Sequence, residues 1–421
     1  MNGSGATVVV RGATLAGIAA ALRLAKAGHR VTLVTGGDPL GGHWAGGDGT
    51  PGSPVPDSLP QTFALRAAWM DLLRKSGRPF DAELARHHLA LVPAPPTVHV
   101  FPDGRRLLLP AERGAQYHAV ADAFGATAAE RWSTLLDDAD RLWLALRPLG
   151  IERPRPPSLR RDQRRAAWAA RTLDRVADRL REPHLARVVA SLGPMSGAVD
   201  GSAPALLLTR AAIDRQFGLW QLVDSDTRRP QPAGRILEVL RDRLTQRGVQ
   251  ITDAATPPPA PPDARLDTTA PLPRGRFGRR PARPALAPTV RRLSAEPVAG
   301  EAAGITRIVE HHDDGPVVRW RRPTADGVEI VEHDHRHPTE RLDWGLAPSS
   351  WRAWLARPLL GPDPQGARLG TWHASVASPA GNEPWAELLS AALAVYEIHE
   401  AVTGADIRPT NRDAGRPSRP S

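Results

Sequence analysis

Residues 7–44 read TVVVRGATLAGIAAALRLAKAGHRVTLVTGGDPLGGHW, and this stretch decides the fold. Val8–Val10 is a short β-branched run of the length of a buried parallel strand. Gly12 to Gly17 then turns the chain into a helix. Leu15, Ile18, Ala19, Leu22 and Leu24 give that helix an apolar face, and its alanines give it propensity. Gly28 stops it, and Val31–Val34 supplies the next strand. The pattern predicts a βαβ unit with a right-handed crossover and two parallel, adjacent strands.

Such a unit suits a dinucleotide for a physical reason. The helix N-terminus presents unpaired N–H groups and a partial positive charge, which favour a pyrophosphate. Of the three glycines expected in the turn, the first makes it tight, the second lets backbone approach phosphate, and the third lets helix pack on strand. Gly12 and Gly17 hold the first and third places, but Thr14 holds the second. The acidic residue expected after the second strand, where it would hold a ribose, is replaced by Thr35, followed by Gly36 and Gly37. Both departures fall on positions that would touch the ligand, while the fold-forming positions stay intact.

Val8–Trp44 resembles the N-terminus of FAD-dependent amine oxidases and phytoene desaturases. Leu40-Gly41-Gly42-His43-Trp44 matches that family's Leu-Gly-Gly stretch. Ala374-Ser375 through Asn382, followed by a helix at Trp385–Thr403, is similar to its last flavin-contacting strand, loop and helix. The family usually has Gly-Asp or Gly-Ala where this chain has Ala374-Ser375. The resemblance implies an α/β fold with a discontinuous, Rossmann-type parallel-sheet FAD/NAD(P)-binding domain in residues 1–60, 225–270 and 366–410. A second, α+β substrate domain with an antiparallel sheet would use 61–224 and 271–365, and 411–421 would be a polar tail.

The resemblance also implies an FAD-dependent oxidoreductase that moves a hydride between flavin and an apolar or amine small molecule. FAD would be held by Gly12, Ala13, Thr14, Leu15, Ala16, Gly17, Thr35, Gly36, Leu40, Gly41, Gly42, His43, Trp44, Ala374 and Ser375. The cofactor carries such chemistry, so no protein acid or base is assigned. The departures at Thr14, Thr35 and Ala374-Ser375 open two alternatives. One is a binding or scaffold protein of this fold that no longer holds the cofactor; the other takes NAD(P) instead of FAD. For His43 and Trp44, lining the flavin or substrate cavity and packing between domains are both open.

The 421 residues allow two to three domains by the usual rule of about 150 residues each. With no cysteine, disulfides, thiolate catalysis and Cys-ligated metals are excluded. The net charge is +10, and Lys26 and Lys75 are the only lysines. The arginines are spread along the chain without interleaved aromatics, so no nucleic-acid partner is expected. Arg-rich helices over residues 159–192, interrupted at Pro183, leave peripheral membrane contact open beside an ordinary solvated face. The opening apolar stretch lacks a charged leader and is broken by Arg11, so it reads as strand rather than signal peptide, and the expected compartment is the cytoplasm.

Elsewhere the pattern predicts helices over 61–76, 80–88, 113–147 with a break at Gly125, 204–217 and 234–247. Strands are expected at 89–92, 98–101, 106–109, 218–223, 249–251 and 366–374, with an antiparallel meander over 304–334. Residues 264–269 read as another edge of the dinucleotide sheet, and 271–288 as a Pro/Arg/Gly-rich loop. A short helix is expected at Trp351–Trp354. In the meander, His333, His335 and His337 would share one strand face, with His311 alongside. These could hold a divalent metal; a polar sheet end is the alternative, and no metal ligand is assigned.

Overall fold

The computed structural model describes residues 5–45, 58–149, 151–152, 159–198, 203–253, 261–269, 283–297, 303–348, 371–374 and 382–408. The chain opens with β1 (Thr7–Arg11), α1 (Leu15–Lys26) and β2 (Arg30–Val34). Then come α2 (Arg66–Ser76), α3 (Phe80–Ala85), β3 (Leu89–Pro93) and the hairpin β4 (Thr97–Val100) and β5 (Arg106–Leu109). A helical block follows: α4 (Arg113–Phe124), α5 (Ala126–Leu146), α6 (Arg161–Ala166), α7 (Leu173–Ala177), α8 (Pro183–Ala190), α9 (Leu192–Met195) and α10 (Thr209–Phe217). Next are β6 (Trp220–Asp224), α11 (Arg235–Gln246), β7 (Gln250–Thr252) and β8 (Ala264–Asp267). The remainder is β9 (Pro284–Ala295), β10 (Thr306–His312), β11 (Gly315–Pro323), β12 (Val328–Leu346), β13 (Thr371–His373) and α12 (Pro384–Thr403).

Five strands form an all-parallel sheet in the order β13-β8-β1-β2-β7. The βαβ expectation holds: β1 pairs with β2 in parallel from Thr7 opposite Arg30 to Arg11 opposite Val34. Every residue of α1 from Leu15 to Leu24 is buried. A helix apolar all round belongs in a core, and α1 lies between β1–β2 on one side and α2, α11 and α12 on the others. Residues 264–269 depart from expectation. Strand β8 sits inside the sheet, between β1 and β13, rather than at its edge.

A second sheet has six strands in the order β5-β4-β10-β11-β12-β9. The meander is present, but the sheet is mixed, because β10 and β4 run parallel. Residues 284–288, read as loop, open β9 instead. Pro284 and Pro288 are tolerated there because β9 is an edge strand, with one side free of ladder bonds. The helix expected over 61–76 begins only at Arg66, since Phe63 exchanges backbone hydrogen bonds with Trp220. Pro183 does not interrupt a helix; it starts α8 at a position where its missing N–H costs nothing. The segment at 351–354 and Ser375 lie outside the described residues.

Candidate functional site

The turn into α1 needs glycine at both predicted places. Gly12 has φ +107°, and a Cβ there would lie 2.5 Å from Thr268 Oγ1. A Cβ on Gly17 would lie 2.1 Å from the Gly12 carbonyl oxygen, so that glycine lets helix close on strand. Thr14 is the N-cap of α1, its hydroxyl accepting from the Gly17 N–H at 3.1 Å. That hydroxyl donates to Thr268 Oγ1 at 3.0 Å, and Thr268 donates to the Arg11 carbonyl at 2.8 Å. The side chain where a glycine was expected thus ties the turn to the end of β8.

The next donor of this helix end, the Ala16 N–H, goes to a carboxylate. Glu387 Oε2 accepts from it at 3.1 Å, and Oε1 accepts from the Trp44 indole N–H. Glu387 lies in the first turn of α12 and is fully buried. It gets there because α12 runs alongside α1 in the same direction. Glu387 meets Ala16 near the start of both helices, and His399 hydrogen-bonds His29 at 2.9 Å beyond the far end of α1. Burial pushes the Glu387 carboxyl up to about 7, against the two hydrogen bonds that favour its charge.

Around this carboxylate the residues expected to hold a cofactor pack on one another. Gly41 (φ +110°) donates its N–H to the Ala13 carbonyl at 2.7 Å, and Gly42 (φ +58°) sits against Thr14. Trp44 is buried and its ring lies 5.1 Å from that of Trp344 on β12. His43 lies 5.4 Å from the same ring, its side chain 1% exposed. Its Nε2 has no hydrogen-bond partner among the described residues and lies 4.0 Å from Glu387 Oε1. Burial holds His43 down at about 3, so it is neutral. His43 and Trp44 thus pack against Trp344 of β12 and Glu387 of α12. At the other end of the turn, Thr35 donates to Asp253 Oδ1 at 2.6 Å and accepts from the Gly37 N–H. Gly36 is exposed and Leu40 half-buried. Ala374, at the end of β13, donates its N–H to the Asp267 carbonyl.

One helical turn before Glu387, the start of α12 walls a partly open, mostly apolar cavity. Its apolar walls include Phe63, Trp69, Leu206, Trp320 and Trp385. Two ion pairs face it. Arg307 pairs with Asp214 at 3.0 Å, and Arg210 with Glu383 at 2.5 Å. A second cavity shares Asp214 and Arg307 with the first.

The histidines of the meander do not converge. His311 Nε2 hydrogen-bonds His99 Nδ1 at 2.9 Å and stacks on Phe101. His333 lies between Trp320 and Trp344, and His337 is exposed. Among the described residues, no group of three or more His, Asp or Glu side chains is placed to hold a metal ion.

Sequence reading located the turn and both glycines, but took Thr14 for a missing glycine and not for the cap of α1. It missed Glu387, Thr268, Asp253 and Trp344, which fill the space around them. Glu387 carried a signal, being the lone charge in the first turns of an apolar helix. An acid in a first turn also complements its own helix dipole, which gives it an ordinary explanation.

The family described as FAD binding domain matches residues 7–254. Hydroxyneurosporene desaturase of Cereibacter sphaeroides is 29% identical over 280 residues, covering 60% of this chain and 54% of that protein. The hydroxyneurosporene desaturase of Rhodobacter capsulatus is 31% identical over 225 residues, covering 51% and 44%. The chain thus spans about half the length of the curated relatives it matches. Two solved structures share the fold. A putrescine oxidase bound to putrescine superposes with TM-score 0.60 at 13% identity, covering 94% of this chain and 99% of that one. Cyclohexylamine oxidase from Brevibacterium oxydans gives 0.57 at 14% identity, covering 95% and 99%. With the glycine turn, the parallel sheet and the returning C-terminal helix in place, the chain belongs to the FAD binding domain family.

Proposed function

We propose that this chain is a desaturase-like oxidoreductase whose substrate is a long, apolar molecule rather than an amine. One observation carries the reading: the start of α12 walls the apolar cavity, and one turn on it meets the dinucleotide turn of α1. A redox cofactor held at the α1 turn would share α12 with that cavity. The donor chemistry fits FAD. The buried N-terminus of α1 already holds an oxyanion at the Ala16 N–H, in the place where a pyrophosphate oxygen belongs. Leu15 and Ala16 would hold the pyrophosphate and Thr35 the ribose. When bound, FAD supplies the hydride acceptor.

The chain's own residues supply shape and dryness. Trp320, Trp69 and Trp385 give the chamber an apolar wall against which a hydrocarbon chain would displace water. The two carboxylates facing it, Asp214 and Glu383, are each paired with an arginine, so neither is left to take an ammonium. That favours an apolar substrate, and the desaturase relatives favour a hydroxylated one of the kind their names denote. The test mixes FAD-loaded protein, without oxygen, with hydroxyneurosporene and separately with putrescine. The reading expects the flavin absorbance to bleach with the first and to persist with the second; bleaching by the amine alone overturns it. A second reading, a binding protein of this fold without redox chemistry, is favoured by the carboxylate standing in the pyrophosphate place. Purified protein that stays colourless and ignores added FAD would establish it.

A further inference from the structure

We infer that Glu387 is a resident anion that competes with the cofactor's pyrophosphate for the N-terminus of α1, and so sets how tightly this chain holds FAD. The inference rests on the reading that FAD seats at this turn. Three observations on independent atoms support it. Glu387 Oε2 takes the Ala16 N–H, a donor that points out of the glycine turn. Its other oxygen takes the indole N–H of Trp44, from the Leu-Gly-Gly stretch that packs on the glycine turn. The imidazole Nε2 of His43, buried and without a partner among the described residues, is aimed at the same spot from 4.0 Å. Donors from two separate elements therefore converge on one oxyanion, and the chain supplies that oxyanion itself.

A carboxylate and a phosphate oxygen cannot both hold one N–H, and two anions at one helix end repel. Cofactor entry therefore requires the Glu387 side chain to withdraw. Replacing it removes the competing acceptor and the charge together in Glu387→Ala. Glu387→Gln removes the charge alone and keeps the shape.

The groups around Glu387 leave its own protonation to decide its charge. His43 is neutral. Behind it, Asp343 and Arg341 pair with each other. On its own helix, one turn back, Glu383 is paired with Arg210. On α1, Arg23 is two turns away and paired with Asp71.

The test is FAD titration of the full-length chain, followed by quenching of tryptophan fluorescence and by thermal stabilisation, with inorganic pyrophosphate as a second probe. The expected result is that Glu387→Ala binds FAD at least about tenfold more tightly than wild type, the size of one charge-assisted hydrogen bond. Glu387→Gln should gain less, and pyrophosphate should stabilise Glu387→Ala but not wild type. Wild-type protein gives the same test unaltered, its FAD affinity rising as pH falls from about 8 to about 6 and the carboxyl takes up its proton. Equal, tight FAD binding by all three proteins overturns the inference and leaves the FAD reading standing. Folded variants that ignore FAD as wild type does overturn both.

Discussion

Thr14 shows how a single residue can be read correctly in place and wrongly in purpose. From the sequence it is a missing glycine, a gap in the motif. In the fold its hydroxyl caps α1 and continues through Thr268 to the Arg11 carbonyl. Thr14→Ala should cost about 1 kcal/mol by losing the cap, and Thr14→Gly only a few tenths, an ordering that urea unfolding can check. Glu387 makes a second prediction at this scale. Its folded carboxyl titrates near 7, above the ordinary 4.5. The folded state therefore keeps a proton that the unfolded state has released. The resulting stability is whole below about pH 4.5 and drains away as pH rises to about 7, by about 1.4 kcal/mol per pH unit. The difference in melting temperature between wild type and Glu387→Gln should slope across that range; a flat difference would mean that burial does not raise this carboxyl. No periodicity in the sequence announced Glu387, because its partners lie hundreds of positions away.

Among the elements, those with strong local pattern were legible. The opening βαβ unit, the Gly125 break and the three-stranded meander all stand where periodicity put them. What the sequence hid was non-local. Whether β8 is edge or interior depends on β13, which follows it by about a hundred residues. Strand β9 looked like a loop because its prolines argue against a central strand, and only its place at the sheet edge excuses them. The joint between α3 and α11 was equally invisible. Glu83 on α3 is completely buried and faces Arg243 on α11, itself 4% exposed, with Arg78 and Arg86 at 3.3 and 3.5 Å. Glu83→Ala strands a buried guanidinium and should cost about 3–5 kcal/mol. Arg78→Ala, at the exposed rim, should cost about 1 kcal/mol or less. Denaturant titrations of the pair decide it, and equal losses would show that the buried joint contributes nothing special.

For the molecule as a whole, acid is the weak side. Burial holds His43, His333 and His335 down at about 3 and His311 at about 4, all below the ordinary 6.5. Each is neutral in the fold and takes a proton on unfolding. Stability is thus complete above about pH 6.5 and falls as pH drops towards those lowered values. Four such groups outweigh the opposite contributions of Glu387 and Glu383, whose carboxyls burial pushes up. Calorimetry near pH 5 should therefore find net proton uptake on unfolding and a lower melting temperature than at pH 7.5; net release would contradict the burial of these rings. Among the described residues no helix is long and apolar enough to cross a membrane.

The salt bridge between Arg307 and Asp214 belongs to both chambers. On the proposed function it stands as a partition between them, and a guest in one room would end against it. Shortening the aspartate would knock the two rooms into a corridor, at the expense of a stranded guanidinium in the wall. On the proposed function, the length of chain admitted would be written in one ionic latch, not in the size of either room.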